Sequence, residues 1–216
     1  NSGGPGANAF VFAGAVRLAM ALPAATDSLL ASLPFLAAVS YGLAIIANKW
    51  ENAPVRLTSY LLQIYAALAL AFLLLTSAPD AHIVSGTLSA AILACLGLIH
   101  YKWCRGHLPP ANSAFFLKLD KNDTSAAVLL LVSLLSAFFM LRIVVHQFLE
   151  LSLPAEAVNN AFRSAQSVII NVSAAILMLF ALAHQKKEVR NIAILVTVIG
   201  AIKVFLYDLI GGMHGL

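Results

Sequence analysis

Residues 188–211 read E-V-R-N-I-A-I-L-V-T-V-I-G-A-I-K-V-F-L-Y-D-L-I-G. The run is long enough to cross a bilayer, which takes about 20 mostly apolar residues in a helix. Lys203 and Asp208 lie inside it. Ionisable side chains at membrane depth are costly, so each requires a partner, a wet cavity or a function. The stretch therefore predicts a transmembrane helix that carries a structural or functional polar group.

The composition of the whole chain points to the same class of protein. It is 61% hydrophobic and only 10% charged, whereas soluble domains are about 45–50% apolar and about 25% charged. A soluble protein of this composition would expose large apolar patches. The sequence thus predicts an all-α, polytopic membrane protein.

The positive net charge and the two cysteines do not change that interpretation. The formal charge is +4, but the basic residues form short clusters between apolar runs, as topology signals do. No nucleic-acid partner is expected. Cys95 and Cys104 have neither the number of a disulfide framework nor a metal-ligand spacing.

Six full spans are predicted, over about 28–48, 55–77, 81–102, 124–149, 156–184 and 189–210. Before them, residues 7–22 form a shorter apolar stretch that Arg17 interrupts and Pro23 follows. This pattern predicts an interfacial or half-crossing helix, and the Gly/Pro-rich residues 1–6 are expected to be mobile. The predicted domains are therefore 1–22, a mobile N-terminus with a short apolar helix, and 23–216, a six-span transmembrane bundle. No signal peptide is expected, because the first residues lack a basic segment followed by a cleavage site.

The distribution of Lys and Arg predicts the orientation, because cytoplasmic loops carry the excess of these residues. The loops after spans two and four contain none. Loops 48–56, 102–123 and 184–190 are therefore expected in the cytoplasm, and the C-terminal tail outside, in a multi-pass protein of the inner (plasma) membrane. The basic residues that support this are Lys49, Arg56, Lys102, Arg105, Lys118, Lys121, Lys186, Lys187 and Arg190.

Polar residues recur in the outer halves of the last three spans. On span four, one helical face carries residues four apart, namely Arg142, His146 and Glu150. Span five carries a similar stripe, formed by Arg163, Ser167 and Asn171. Lys203 and Asp208 are about 140° apart around their helix, so Asp208 is expected to reach an Arg on a neighbouring helix. The candidate ligand-binding residues are Arg142, His146, Arg163, Asn171, Lys203 and Asp208.

Two interpretations of this cluster stay open. One is a pocket for a phosphate, a carboxylate or an anionic lipid head group, since guanidinium groups match such ligands. The other is a structural ion-pair network with Arg and Lys side chains reaching the outer interface. No catalytic residue and no metal site is predicted.

The remaining polar side chains in the spans have ordinary explanations. Tyr60, Gln63 and Tyr65 are expected to form hydrogen bonds between helices rather than to contact a ligand. Histidines near both faces could clamp a haem, but their positions favour ordinary interfacial histidines, among them His82 and His100, and no cofactor is predicted.

Arg190 and the segment Lys203-Val204-Phe205-Leu206-Tyr207-Asp208 resemble the C-terminal region of a family of bacterial polytopic membrane proteins. This is the twenty-three-thirty-nine family among the domains of unknown function. Its members carry an Arg at the start of an apolar helix that ends in a K-V-F-L-x-D signature. They are usually longer, with more spans, and continue after the Asp into a turn with another Arg. The family has no established activity, so the resemblance implies a bacterial membrane protein and the position of a motif.

The leading functional hypothesis is a non-enzymatic inner-membrane protein with an outer-leaflet polar pocket. It would act as a scaffold or binding subunit of a membrane or envelope complex. Its expected partners are the lipid bilayer, an anionic lipid or small anion, and other membrane subunits. The first alternative is a transporter or channel for a small anionic solute, which requires a continuous polar path. The second is a membrane enzyme or redox subunit, which requires an acid–base pair or a haem.

Overall fold

The computed structural model describes residues 5–78, 81–109, 122–185 and 187–204, together with Phe116, Lys118 and Asp120. Every regular element in these ranges is helical, which confirms the predicted all-α fold. In chain order the elements are α1 (Pro5–Thr26), α2 (Leu29–Lys49), α3 (Ala53–Thr76), α4 (Ile83–Gly106), the short 3-10 helix η1 (Thr124–Ala126), α5 (Ala127–Ser152), α6 (Ala155–Ala183) and α7 (Lys187–Lys203).

Six of these helical segments are long and apolar enough to cross a membrane. They are Gly6–Thr26, Leu29–Lys49, Ala53–Thr76, Ile83–Gly106, Thr124–Ser152 and Ala155–Ala183. The chain is therefore a multi-pass membrane protein. The span predicted over 189–210 is described only as far as residue 204, where α7 has ended at Lys203.

The first helix is longer than the sequence predicts. The expectation that α1 ends before Pro23 is wrong, because the helix continues through this proline to Thr26. Proline removes one backbone donor, here the helical partner of the Ala19 carbonyl, and it can kink a helix without ending it. Thr26 Oγ1 donates to the Leu22 carbonyl at 2.9 Å in the last turn. As a result, α1 has the length of a full span.

The chain packs as two compact units that divide within α5, Asn1–Met140 and Leu141–Leu216. In the first unit, α2 packs against α3 and α4, and α1 packs against α2 and α3. Leucines from several of these helices, including Leu33, Leu70 and Leu93, are fully buried between them. Long aliphatic side chains thus fill the centre of this unit.

Polar side chains fix the ends of the helices in the first unit. Ser28 and Asn52 cap α2 and α3 by accepting hydrogen bonds from the N–H groups of Ala31 and Val55. Asn52 also donates to Asn8 Oδ1 at 2.7 Å. This contact places the beginning of α1 beside the α2–α3 connection, as expected when consecutive helices alternate in direction. The side of the membrane on which these ends lie stays a prediction.

The second unit contains the end of α5 together with α6 and α7. Helices α6 and α7 form a hairpin whose turn includes Gln185 in the left-handed conformation. They approach closely at Gly200, where an added Cβ would lie 2.9 Å from Ile170 Cγ2 and 3.0 Å from Asn171 Oδ1. A small residue is needed here for the two backbones to come together.

Candidate functional site

Lys203, at the end of α7, lies against the polar stripe of α6. Its Nζ donates to the Arg163 carbonyl at 2.9 Å and to Ser167 Oγ at 2.6 Å. Both of these acceptors are neutral oxygen atoms of α6. Positive charge from α7 is therefore held on the surface of α6.

The stripe predicted on α6 is formed by Arg163, Ser167 and Asn171, each four residues from the next. Ser167 is buried beneath Lys203, and the Asn171 carboxamide lies against Gly200 of α7. Arg163 is exposed, although its carbonyl accepts the hydrogen bond from Lys203. The structure thus brings the charges of Arg163 and Lys203 to the same turn of α6.

Arg142 and His146 of α5 both pack against the ring of Phe162 in α6. The Arg142 guanidinium carbon lies 5.5 Å from the ring centroid, and the His146 ring packs edge-on at 4.6 Å. His146 is buried, with Nδ1 3.5 Å from Glu150 Oε1 but without hydrogen-bond geometry to it. The shared face predicted for α5 is therefore present, and it packs on an aromatic ring of α6.

The residues that were predicted to form one pocket therefore form two separate sets of contacts within the second unit. Arg142 and His146 pack on Phe162, whereas Lys203 is bonded to Ser167 and to the backbone of Arg163. Asp208 lies outside the described residues, so its predicted pairing with an Arg stays a prediction.

The first unit contains a buried charged cluster that the sequence analysis missed. Arg56 in α3 is fully buried, and its Nη2 lies 3.1 Å from Asp123 Oδ2. Arg56 Nε donates to the hydroxyl of Tyr60 at 2.8 Å, and that hydroxyl donates to Asp123 Oδ2 at 2.7 Å. Arg56 Nη2 also donates to the His107 carbonyl at 2.8 Å. The interpretation of Arg56 as a loop residue that only signals topology needs correction, because it is a core residue.

The segment before α5 positions Asp123 for this contact. Asp123 adopts the left-handed conformation (φ 52°), and Arg105 donates to its carbonyl. The Asp120 carboxylate accepts hydrogen bonds from the backbone and hydroxyl groups of Thr124 and Ser125. Burial raises the pKa of Asp120, but these hydrogen bonds outweigh that effect and hold the pKa below its usual value. An ionised Asp120 thus caps η1 while Asp123 faces Arg56.

His100 joins this cluster from α4. It is fully buried, with Nδ1 3.3 Å from Ser40 Oγ and Nε2 3.4 Å from Ser59 Oγ. Its ring lies 5.8 Å from that of Tyr60. His100 is therefore a residue of the protein core, where hydroxyl groups of α2 and α3 contact both ring nitrogens, and its position at the membrane interface stays a prediction. The described ranges contain no group of three or more His, Cys, Asp or Glu side chains arranged for a metal ion.

Tyr60 and Gln63 lie on the buried side of α3, whereas Tyr65 is exposed. The hydroxyl of Tyr60 accepts from Arg56 of its own helix and donates to Asp123 in the connection before η1, so these partners are not on another helix. Gln63 is buried near Gly97 of α4, where its Nε2 lies 3.4 Å from the position of an added Cβ. Within the described part of the chain, Gln63 Oε1 accepts no hydrogen bond. The predicted hydrogen bonds between helices thus stay a prediction.

A local signal could have revealed the buried cluster. Arg56 and Tyr60 are four residues apart, beyond a proline that suits the first turn of a helix. A cation inside a helix with an aromatic hydroxyl on the same face indicates a buried polar site. Its acidic partner, Asp123, is 67 residues away, and no local pattern links the two.

These features define a multi-pass α-helical membrane protein with one buried charge cluster and one polar helical hairpin. Comparison with protein families, curated proteins and solved structures finds no match for the chain. The resemblance of residues 190–208 to the bacterial family named above stays a prediction.

Proposed function

We propose that this protein is a non-enzymatic integral protein of the bacterial inner membrane that binds an anionic group on the α6–α7 hairpin. It would serve there as a binding or scaffold subunit of a membrane or envelope complex. The observation that carries the proposal is the position of Lys203. Its ammonium is bonded to α6 at the turn that presents the exposed Arg163.

The chemistry of this turn suits a phosphate or a carboxylate. A guanidinium offers paired N–H donors that match the oxygens of either group, and a neighbouring ammonium adds charge without demanding a fixed direction. Asn171 adds an exposed amide on the same stripe, whereas Ser167 is buried beneath Lys203. The polar oxygens of an anionic ligand would therefore find several donors along about two turns of α6.

The surroundings of Arg163 also favour a ligand over lipid tails. Arg163 is eight residues after the start of α6, or about 12 Å along the helix axis. The same half of α6 exposes four further polar side chains, Glu156, Asn159, Asn160 and Ser164. A polar helical face at membrane depth requires water, a ligand or a protein partner. With the predicted orientation, this face belongs to the outer leaflet.

The alternative of an anion transporter has less support. The buried charges of the first unit are sealed, since the side chains of Arg56 and Asp123 are 0% and 1% exposed. They bond to each other in a packed core and do not line an open path. The hypothesis of a membrane enzyme has no comparable observation in its favour.

Native mass spectrometry of the gently solubilised protein tests the proposal. We expect an anionic molecule to remain bound to the wild type and to be lost from Arg163→Ala and from Lys203→Met. Lys187→Ala is the matched control, because it removes an exposed cation from the opposite end of α7. The mass of the molecule distinguishes a lipid head group from an envelope-polymer precursor. Equal retention by all variants, or no bound anion in the wild type, would contradict the proposal.

A further inference from the structure

Arg17 lies at the middle of the first membrane-spanning helix. It is eleven residues after Gly6 and nine before Thr26, the ends of that candidate span. These separations correspond to about 16 Å and about 14 Å along the helix. Arg17 is exposed, and no described residue forms a hydrogen bond or an ion pair with it. An exposed cation is thus presented at mid-depth by a helix that has the length and composition to cross the bilayer.

The helix surface around Arg17 consists mostly of small residues. Ala13, Gly14, Ala21 and Ala24 are exposed and lie within about 60° of Arg17 around the helix, and the exposed side chains of Phe10 and Met20 flank them within the same range. An added Cβ at Gly14 would meet nothing within 4 Å. We call the four small residues and Arg17 the Arg17 face. Small residues at such spacings allow the backbone of another helix to come close within a membrane.

The opposite side of α1 already packs within the first unit. Ala15 and Ala19 are each 8% exposed, and α1 contacts α2 and α3. The helix therefore does not need its Arg17 face for its position in this unit. A charge that faces lipid tails is unfavourable, and ionisable residues in spans usually face other helices or a wet cavity.

We infer that the Arg17 face binds a transmembrane helix of another protein that carries an Asp or Glu at the middle of the membrane. The charge of Arg17 requires an anion at that depth, and the small residues admit a helix beside it. This inference rests on the proposed role as a subunit of a membrane complex, and it specifies the chemistry of one partner.

Two other occupants fit the face less well. A symmetric contact with a second copy would place Arg17 against Arg17, which is repulsive. The described acidic residues of the chain cannot reach this depth, since each lies in a connection or within two residues of a helix end. A lipid phosphate lies beyond the hydrocarbon core, whereas Arg17 is about 14 Å from the nearer end of its span.

Synthetic host helices test the inference with a defined probe. The full-length chain, with a donor dye, is reconstituted in neutral phosphatidylcholine vesicles with an acceptor-labelled Leu/Ala helix that carries Asp at its centre. We expect this helix to bind about tenfold more tightly than the same helix with Leu at the centre, the size of a favourable polar contact between helices in model peptides. Arg17→Leu should remove the difference, and Arg17→Glu should shift the preference to a helix with a central Lys. Arg163→Leu, which alters the other proposed site, should leave it unchanged.

Each other occupant predicts a different result in the same assay. Equal binding of the Asp and Leu helices to the wild type, or an Asp preference that survives Arg17→Leu, would overturn the inference. Energy transfer between two labelled copies of the chain that disappears in Arg17→Leu would assign the face to self-association instead. Loss of the Asp preference when anionic lipid is added would assign Arg17 to a lipid phosphate.

Two controls separate this inference from folding and from the proposed function. An unchanged melting temperature of Arg17→Leu confirms that its packed side is intact. Retention of the anionic molecule by Arg17→Leu, measured by native mass spectrometry, shows that the α6–α7 site is intact. An intact α6–α7 site with no Asp preference overturns only the inference about α1, whereas a wild type that retains no anion overturns the proposed function.

Discussion

The surroundings of a cationic side chain differ between the two units. In the first unit Arg56 is fully buried, and a carboxylate and a phenol surround it. In the second unit Lys203 bonds to a carbonyl and a hydroxyl, beside an exposed arginine. A buried charge needs an opposite charge in good geometry to offset its lost hydration, whereas a cation near an open surface keeps its charge available to a ligand.

The groups around a charged side chain distinguish a structural role from a functional one better than its position along a helix does. Both cations lie on apolar helices, and composition alone would rank them equally as functional candidates. Their surroundings distinguish them, because a cation sealed in the core beside a carboxylate contributes to the fold, whereas a partly exposed cation beside a second cation attracts anions. Experiments that change one charge at a time test this distinction.

The largest effect is expected for Asp123→Asn. The amide keeps the shape of the side chain and tolerates the left-handed conformation, but it leaves the buried charge of Arg56 without its counter-charge. We expect a loss of about 3–5 kcal/mol in the free energy of unfolding, measured by denaturant unfolding in detergent. Arg56→Met combined with Asp123→Asn, which removes the uncompensated charge and keeps a residue that tolerates the left-handed conformation, should recover most of that stability. If Asp123→Asn is as stable as the wild type, the Arg56–Asp123 pair does not stabilise this end of the bundle.

A smaller loss is expected for Tyr60→Phe. The phenol accepts from Arg56 and donates to Asp123, so its removal leaves two buried groups with one partner fewer each. The cost should be about 1–3 kcal/mol. Tyr65→Phe, on the exposed side of the same helix, is the control and should change stability little. If both variants melt at the same temperature, the hydroxyl of Tyr60 has no structural role.

Much of the fold follows from the sequence, because apolar runs bounded by polar turns determine helices directly. The predicted spans agree with α2 to α6 to within a few residues at most ends. The prediction that α1 stops at Pro23 was wrong, since a proline in the last turn removes one donor but need not end a helix. No local sequence pattern predicts the tertiary contacts, above all the pairing of Arg56 with Asp123.

The candidate site was predictable in part for the same reason. The four-residue spacing of Arg163, Ser167 and Asn171 places them on one stripe of α6 whatever surrounds the helix. The choice of Lys203 as the partner of that stripe depends on the register of the α6–α7 hairpin, which the close approach at Gly200 sets. Sequence spacing gives the face of a helix, and packing decides what the face meets.

The stabilising effect of Asp120 should depend on pH. Its pKa is lower in the folded protein than in the unfolded chain, so its contribution is complete above the unfolded pKa of about 4 and is lost as the pH falls through the folded value. At neutral pH, Asp120→Ala should cost about 1–2 kcal/mol, as the loss of a helix cap does. Unfolding curves between pH 6 and pH 3 compare the variant with the wild type, and the difference should shrink towards the acid end. A difference that does not change with pH would mean that the carboxylate acts only by its shape.

The smallest effect on stability is expected for Lys203→Met, and this variant tests the comparison most directly. The apolar side chain keeps most of the volume of Lys203, and among the acceptors that it leaves are an exposed residue's carbonyl and a serine hydroxyl. We expect a loss of no more than about 1 kcal/mol, together with a clear loss of anion retention in native mass spectrometry. If Lys203→Met instead destabilises the protein as much as Asp123→Asn does, Lys203 is a structural cation like Arg56. The polar hairpin would then hold the helices together, and the ligand site would have to be sought elsewhere.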